Sequence, residues 1–119
     1  MREAAEILKA LSDETRLEII ALLMRAGELC VCDVEAVLGI TQSKSSRHLR
    51  YLLNAGLVEN KREGIWMHYR VRSDLDEATA RLLYSVERMF PEEKLKTLRE
   101  DLGRWLERKK DEPPTCSGC

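Results

Sequence analysis

Along this chain, apolar positions recur first at helical spacing, then alternate, then return to helical spacing. Residues Glu3 to Leu11 are helix-prone, and Ser12 is placed to cap a second helix running to about Arg25, with Asp13 and Glu14 at its positive end. In that helix Leu17, Ile20, Ala21 and Met24 form a stripe that Ile19, Leu22 and Leu23 widen, which predicts a central core helix, and Gly27 suits a left-handed C-cap. Asp33 to Leu38 reads as a short helix closed by Gly39, and Thr41 caps the next, from Gln42 to about Ala55, which Gly56 stops. A short helix, a tight turn and a longer helix make a helix-turn-helix. Leu57 to Lys61 and Ile65 to Val71 then read as strands around the turn Arg62-Glu63-Gly64, with Ile65, Met67, Tyr69 and Val71 alternating with Trp66, His68 and Arg70. Ser73 or Asp74 is placed to cap a helix from about Leu75 to Phe90, with the stripe Leu75, Ala78, Leu82, Val86 and Met89. Pro91 starts a last helix that carries Leu95, Leu98, Leu102, Trp105 and Leu106 and ends in Arg108-Lys109-Lys110.

The pattern predicts a mostly α fold with a β-hairpin wing, a winged helix-turn-helix. The last two helices are expected to serve core packing and a dimer seam. With 119 residues and 44% hydrophobic content the chain supports one domain and one core, and a helical protein this small often gains stability as a homodimer. From Asp111 the composition shifts to Pro113-Pro114 followed by Thr-Cys-Ser-Gly-Cys. Residues 1–110 are therefore read as the winged helix-turn-helix DNA-binding and dimerisation domain, and 111–119 as a flexible, cysteine-containing tail. There is no internal repeat, no long apolar run, and no apolar signal core behind Met1-Arg2-Glu3-Ala4, so the expectation is a cytoplasmic protein with no membrane partner. Aromatic residues at 5% argue against a large apolar ligand cavity.

Charge adds a partner. The formal total is −1, but from Thr41 to Arg72 the basic residues Lys44, Arg47, Arg50, Lys61, Arg62, Arg70 and Arg72 face only Glu59 and Glu63. A basic segment in an acidic chain marks one surface that meets a polyanion. Gln42, Ser43, Lys44, Ser46, Arg47, His48 and Arg50 crowd the first half of the predicted second helix of the motif, where a recognition helix reads base edges in a major groove. Lys61 and Arg62 near the hairpin tip suit phosphate contacts that position without reading sequence.

Four cysteines occur as two close pairs, Cys30/Cys32 and Cys116/Cys119. In a reducing compartment such pairs point to soft-ion binding or redox work rather than structural disulfides. Residues two apart in a helix point about 200° apart, whereas in extended chain they share a face, so joint capture by Cys30 and Cys32 favours a distorted helix start. The two histidines, His48 and His68, have no nearby histidine partner and are assigned structural or DNA-contact roles.

The stretch Glu28-Leu29-Cys30-Val31-Cys32-Asp33, followed in order by Ser46-Arg47-His48-Leu49, Ala55-Gly56-Leu57-Val58 and Gly64-Ile65-Trp66-Met67-His68-Tyr69-Arg70, resembles ArsR-type repressors over roughly residues 3 to 90. The resemblance implies a homodimer, joined through its first and fifth helices, that binds an imperfect palindrome in operator DNA. It also implies that Cys30 and Cys32 supply thiolates to trivalent arsenic or antimony as inducer. One familiar pattern of the family has a third cysteine three residues after the second, where this chain has Glu35, so a third thiolate is expected from Cys116 or Cys119. The alternatives are a cadmium-, lead- or zinc-responsive repressor, since four thiolates suit a tetrahedral ion, and a thiol redox switch on the same fold. Relatives sensing cadmium and lead use an N-terminal thiol pair, and no cysteine precedes Cys30. The zinc-sensing branch uses carboxylate and histidine ligands on its fifth helix, and although Asp74, Asp76 and Glu87 are available there, no histidine follows His68. An enzyme shuttling electrons through the tail dithiol is disfavoured, because that pair lies past two prolines rather than at a helix start.

Overall fold

A computed structural model of the protein describes residues 1–111. The elements are α1 (Arg2–Ala10), α2 (Glu14–Ala26), β1 (Leu29–Cys30), α3 (Val31–Leu38), α4 (Gln42–Asn54), β2 (Val58–Glu63), β3 (Trp66–Val71), α5 (Glu77–Met89) and α6 (Glu92–Asp111). This is the winged helix-turn-helix that the periodicity predicts, with several local corrections. The cap of α2 is Asp13 rather than Ser12: its carboxylate accepts the Arg16 backbone N–H at 3.0 Å, while Ser12 donates back to the Lys9 carbonyl at 2.7 Å and so finishes α1. Likewise α5 starts two residues later than expected, because Asp76, not Ser73 or Asp74, accepts the Thr79 N–H at 2.8 Å.

The wing also differs in detail. Arg62 and Glu63 belong to β2, since the ladder continues to Glu63↔Trp66, and the turn is Gly64-Ile65 alone. Gly64 there has φ 64°, the positive value that a two-residue hairpin turn requires and that a side chain resists. A strand the sequence did not reveal, β1, completes an antiparallel sheet in the order β1-β3-β2, with Leu29↔Tyr69 and Cys30↔His68 as partners.

The core gathers around α2, as its stripe requires. Ile19, Ile20, Leu22 and Leu23 pack with Val34 of α3, Leu49 and Leu52 of α4, and Leu57 and Val58 at the wing base, all at most 1% exposed. From the other side, Leu98 and Leu102 seat α6 against this core, so the last helix covers α2 and α3 of its own chain. Within α5 only Leu83 and Val86 are buried. Met89 at 79% and Leu8 of α1 at 57% exposure stand beside a hollow of about 760 Å³ lined by Leu11, Leu17, Leu82 and Phe90 among others. No helix among the described residues is long and apolar enough to cross a membrane.

Candidate functional site

The polar first half of α4 is positioned by its own cap. Thr41 accepts the Lys44 N–H at 3.1 Å, and the buried Ser45 hydroxyl donates to the Thr41 carbonyl at 2.9 Å, fixing the helix start just after the Gly39 turn (φ 66°). Buried Leu49 and Leu52 then orient the helix so that Ser43, Lys44, Arg47 and Arg50 are exposed, with Gln42, Ser46 and His48 half-buried at the edges. His48 turns inward: its Nδ1 lies 3.3 Å from Nη1 of Arg16, and since a guanidinium can only donate, the imidazole accepts through a neutral Nδ1. Burial, reinforced by Arg16, Arg47 and Lys44, holds the His48 pKa below its ordinary value against the opposing pull of Asp13.

Arg16 was not singled out by sequence reasoning, yet it ties three helices together. Its Nε donates to the Ala10 carbonyl at the end of α1 at 2.6 Å, its guanidinium lies 4.0 Å from the centroid of the Tyr51 ring on α4, and Asp13 stands 3.9 Å away. On the wing, Lys61 and Arg62 are exposed as expected, and Lys61 shares its charge with Glu63 at 3.2 Å. His68 is bridged by carboxylates, Nδ1 facing Glu28 at 3.3 Å and Nε2 facing Glu63 at 3.9 Å. One ligand atom from each of these three residues lies within 4.8 Å of the others, but each nitrogen already faces a different carboxylate, so the ring acts as a bridge.

Of the four cysteines, Cys30 and Cys32 are described, and Cys116 and Cys119 lie outside the described residues. Cys30 ends β1 and is the extended N-cap of α3 (φ −98°, ψ 173°), while Cys32 lies in the first helical turn. The pair therefore spans a strand-to-helix junction rather than two positions within one helix. Both side chains are buried, at 1% and 4% exposure; Cys30 is a free thiol, whereas Cys32 is disulfide-bonded, which corrects the expectation that neither cysteine enters a disulfide.

Beneath them Asp33, itself 2% exposed, collects three donors. The Cys30 backbone N–H reaches Oδ2 at 2.8 Å, and on Oδ1 converge Trp105 Nε1 at 2.7 Å and Lys109 Nζ at 2.8 Å, both from α6. Lys109 Nζ also stands 3.9 Å from Cys30 Sγ. Burial pushes the Asp33 pKa up, but the Lys109, Trp105 and Cys30 hydrogen bonds outweigh it and leave the carboxyl below its ordinary value. A signal for this cluster exists in the sequence: Asp33 falls three residues after Cys30, where a capping carboxylate reaches back, and Trp105 and Lys109 are one helical turn apart.

Comparison with known proteins agrees with this geometry. Residues 13–60 match the family model described as "Bacterial regulatory protein, arsR family". The chain is 38% identical over 99 residues, 83% of its own length and 84% of the relative's, to the arsenical resistance operon repressor of Escherichia coli (strain K12). Among solved structures it resembles a homodimeric winged helix-turn-helix DNA-binding domain from Mycobacterium bovis, a possible ArsR-family regulator, with TM-score 0.63 and 34% identity over 72% of this chain and 76% of that one. It also resembles the AntR antimony-specific transcriptional repressor, with TM-score 0.58 and 27% identity over 92% of this chain and 80% of that one. On the strength of the near full-length match to the E. coli repressor and the winged fold, the chain belongs to the ArsR family of DNA-binding transcriptional repressors and is not an enzyme.

Proposed function

We propose that this repressor binds an imperfectly palindromic operator as a homodimer and is released when Cys30 and Cys32 capture trivalent arsenic or antimony, with Cys116 or Cys119 of the 111–119 tail completing a three-thiolate site. The observation that carries the reading is the position of Cys30. It is at once the strand partner of His68 in the wing and the cap of the helix that leads, through Gly39 and Ile40, into α4. An ion that draws Cys30 and Cys32 together deforms a junction shared by both DNA-facing elements. In this reading Ser43, Lys44, Arg47 and Arg50, flanked by Gln42, Ser46 and His48, face the major groove, and Lys61 and Arg62 meet phosphates. The apolar hollow between Leu8 of α1 and Met89 of α5 supports these helices as the dimer seam. The names of the E. coli and AntR relatives support a metalloid inducer.

The test is operator release titrated with arsenite, antimonite, cadmium, lead and zinc under reducing conditions, for the parent, Cys30→Ser, Cys32→Ser and a chain truncated after Pro114. Arsenite and antimonite are expected to release the parent at the lowest concentrations. Both serine variants should hold the operator with parental affinity and resist release, because a hydroxyl is a poor soft-ion ligand. The truncated chain should need more arsenite. Release of both serine variants at parental concentrations rejects the sensor, and preferential release by cadmium, lead or zinc rejects the metalloid assignment.

A further inference from the structure

We propose that Ile65, at the tip of the wing, is an apolar wedge that enters the minor groove beside the bases read by α4 and partly unstacks one base step there. Resting on the DNA-facing reading of the wing above, this role makes Ile65 a residue that selects sequence by how readily the duplex kinks.

Ile65 is 75% exposed, whereas Trp66, Tyr69 and Val71 of the same hairpin pack against the core. Its place is also locally unfavourable. Gly64 has φ 64° and Ile65, like every described non-glycine residue, has no positive φ, so the two-residue turn is of the II′ kind with glycine first. The second position of such a turn suits Asn, Asp or Ser, and a β-branched side chain that stays in solvent gains the fold nothing there. A residue that breaks a local rule with no gain in burial points to function. One exposed isoleucine is ordinary by itself, and its neighbours decide the partner. Lys61 and Arg62 stand exposed just before the turn, and the charge of Glu63 is countered by Lys61 Nζ at 3.2 Å. The tip therefore presents an aliphatic side chain among cations, the combination that suits a minor groove: the cations follow the phosphates along its walls and the side chain slips between bases. The wing is also held in step with α4. The Leu57 N–H donates to the Leu52 carbonyl of that helix at 3.1 Å, and β3 is paired on both edges, by β1 and β2. Unstacking is least costly at pyrimidine–purine steps, so a wedge here favours such a step at a position where no base edge is hydrogen-bonded.

The experiment uses the full chain without inducer and the duplexes it selects from a random-sequence pool. In the parent complex, 2-aminopurine placed in turn at each purine flanking the bases read by α4 should brighten on binding at one pyrimidine–purine step, the mark of lost stacking. Ile65→Ser supplies a residue type that the turn favours and should keep the parental melting temperature. It should weaken binding roughly ten-fold, as expected for the lost burial of one aliphatic side chain. It should also reduce the bend read by energy transfer between the duplex ends and abolish the step preference, and Ile65→Leu should restore all three. Lys61→Ala, by contrast, should lower the slope of log affinity against log salt by about one and leave the step preference intact. No brightening at any flanking position overturns the wedge, and so does an Ile65→Ser chain with parental bend and step preference. The fluorescence readout needs no substitution in the protein, so misfolding of a variant cannot decide the matter. Salt slopes separate the two readings: a reduced slope in Lys61→Ala with no brightening rejects only the wedge, whereas unchanged slopes in Lys61→Ala and Arg62→Ala with no brightening reject the wing as a DNA contact and the wedge with it.

Discussion

Arg16→Met is the perturbation that most directly tests how the recognition helix is held. Methionine keeps the apolar stem and removes the guanidinium, whose side chain is only 12% exposed. Five interactions go with it: the 2.6 Å bond to the Ala10 carbonyl, a longer one to the Lys9 carbonyl at 3.5 Å, the contact with His48 Nδ1 at 3.3 Å, the guanidinium 4.0 Å from the Tyr51 ring centroid, and the Asp13 carboxylate at 3.9 Å. A hydrogen bond from a charged donor contributes about 1.5–3 kcal/mol, a cation over an aromatic ring about 0.5–1 kcal/mol at a site still partly wet, and the looser Asp13 pair under about 1 kcal/mol. Because these share one side chain they do not simply add, and a loss of about 2–4 kcal/mol is expected. In a domain near 100 residues that corresponds to a fall in melting temperature of roughly 10–20 °C. Since two of these contacts, with His48 and Tyr51, land on α4, operator affinity measured at a temperature where the variant is folded should also fall. Arg16→Lys keeps the charge without the planar fork and should fall between parent and methionine. A melting temperature within about 3 °C of the parent, with unchanged operator affinity, would refute the assignment of Arg16 as the anchor of α4.

Three further outcomes are expected. Arg47→Ala, at an exposed position on α4, should leave the melting temperature unchanged and weaken operator binding by about 1–3 kcal/mol with relaxed preference at one base pair; unchanged anisotropy-measured affinity removes it from the DNA surface. Burial holds the His48 pKa below 6.5, so the folded chain favours the neutral ring: its contribution to stability is complete above pH 6.5 and is lost as pH falls below that value toward the folded pKa, because the unfolded chain takes the proton first. Urea titrations from pH 8 to pH 5 should show this slope in the parent and a shallower one in His48→Gln. Met89→Lys, 79% exposed beside the apolar hollow, should keep the fold and shift the dimer toward monomer in sedimentation equilibrium; a variant that stays dimeric moves the seam elsewhere.

Long periodic segments were legible because burial writes itself into sequence at 3.6 or 2 residues per repeat. Every helix and the wing hairpin fall within a few residues of their expected places, and Thr41 and Gly39 act as read. What stayed hidden depends on distance in space rather than along the chain. Strand β1 has only Leu29 and Cys30, too short for any period, and exists because β3 offers it an edge. The choice of Asp76 over Ser73 or Asp74 as cap depends on which side chain meets a free helical N–H, and three candidates within four residues cannot be ranked by type. At the site, the exposed basic face of α4 was readable from charge. The inward turn of His48 and the meeting of Trp105 and Lys109 with Asp33 were not, because these partners are separated by whole helices in the chain.

Strand β1 gives the proposed response a genomic consequence. A repressor that lost only its base contacts would stay on the chromosome, held by phosphates at the far more numerous ordinary sites, and could return quickly to its operator. Here the residue that caps α3 is also hydrogen-bonded into the sheet that carries the wing. Were an ion to bind at Cys30 as proposed, it would disturb reading and gripping together, so the induced protein is expected to leave DNA for free solution, with the return to repression timed by loss of the ion rather than by sliding.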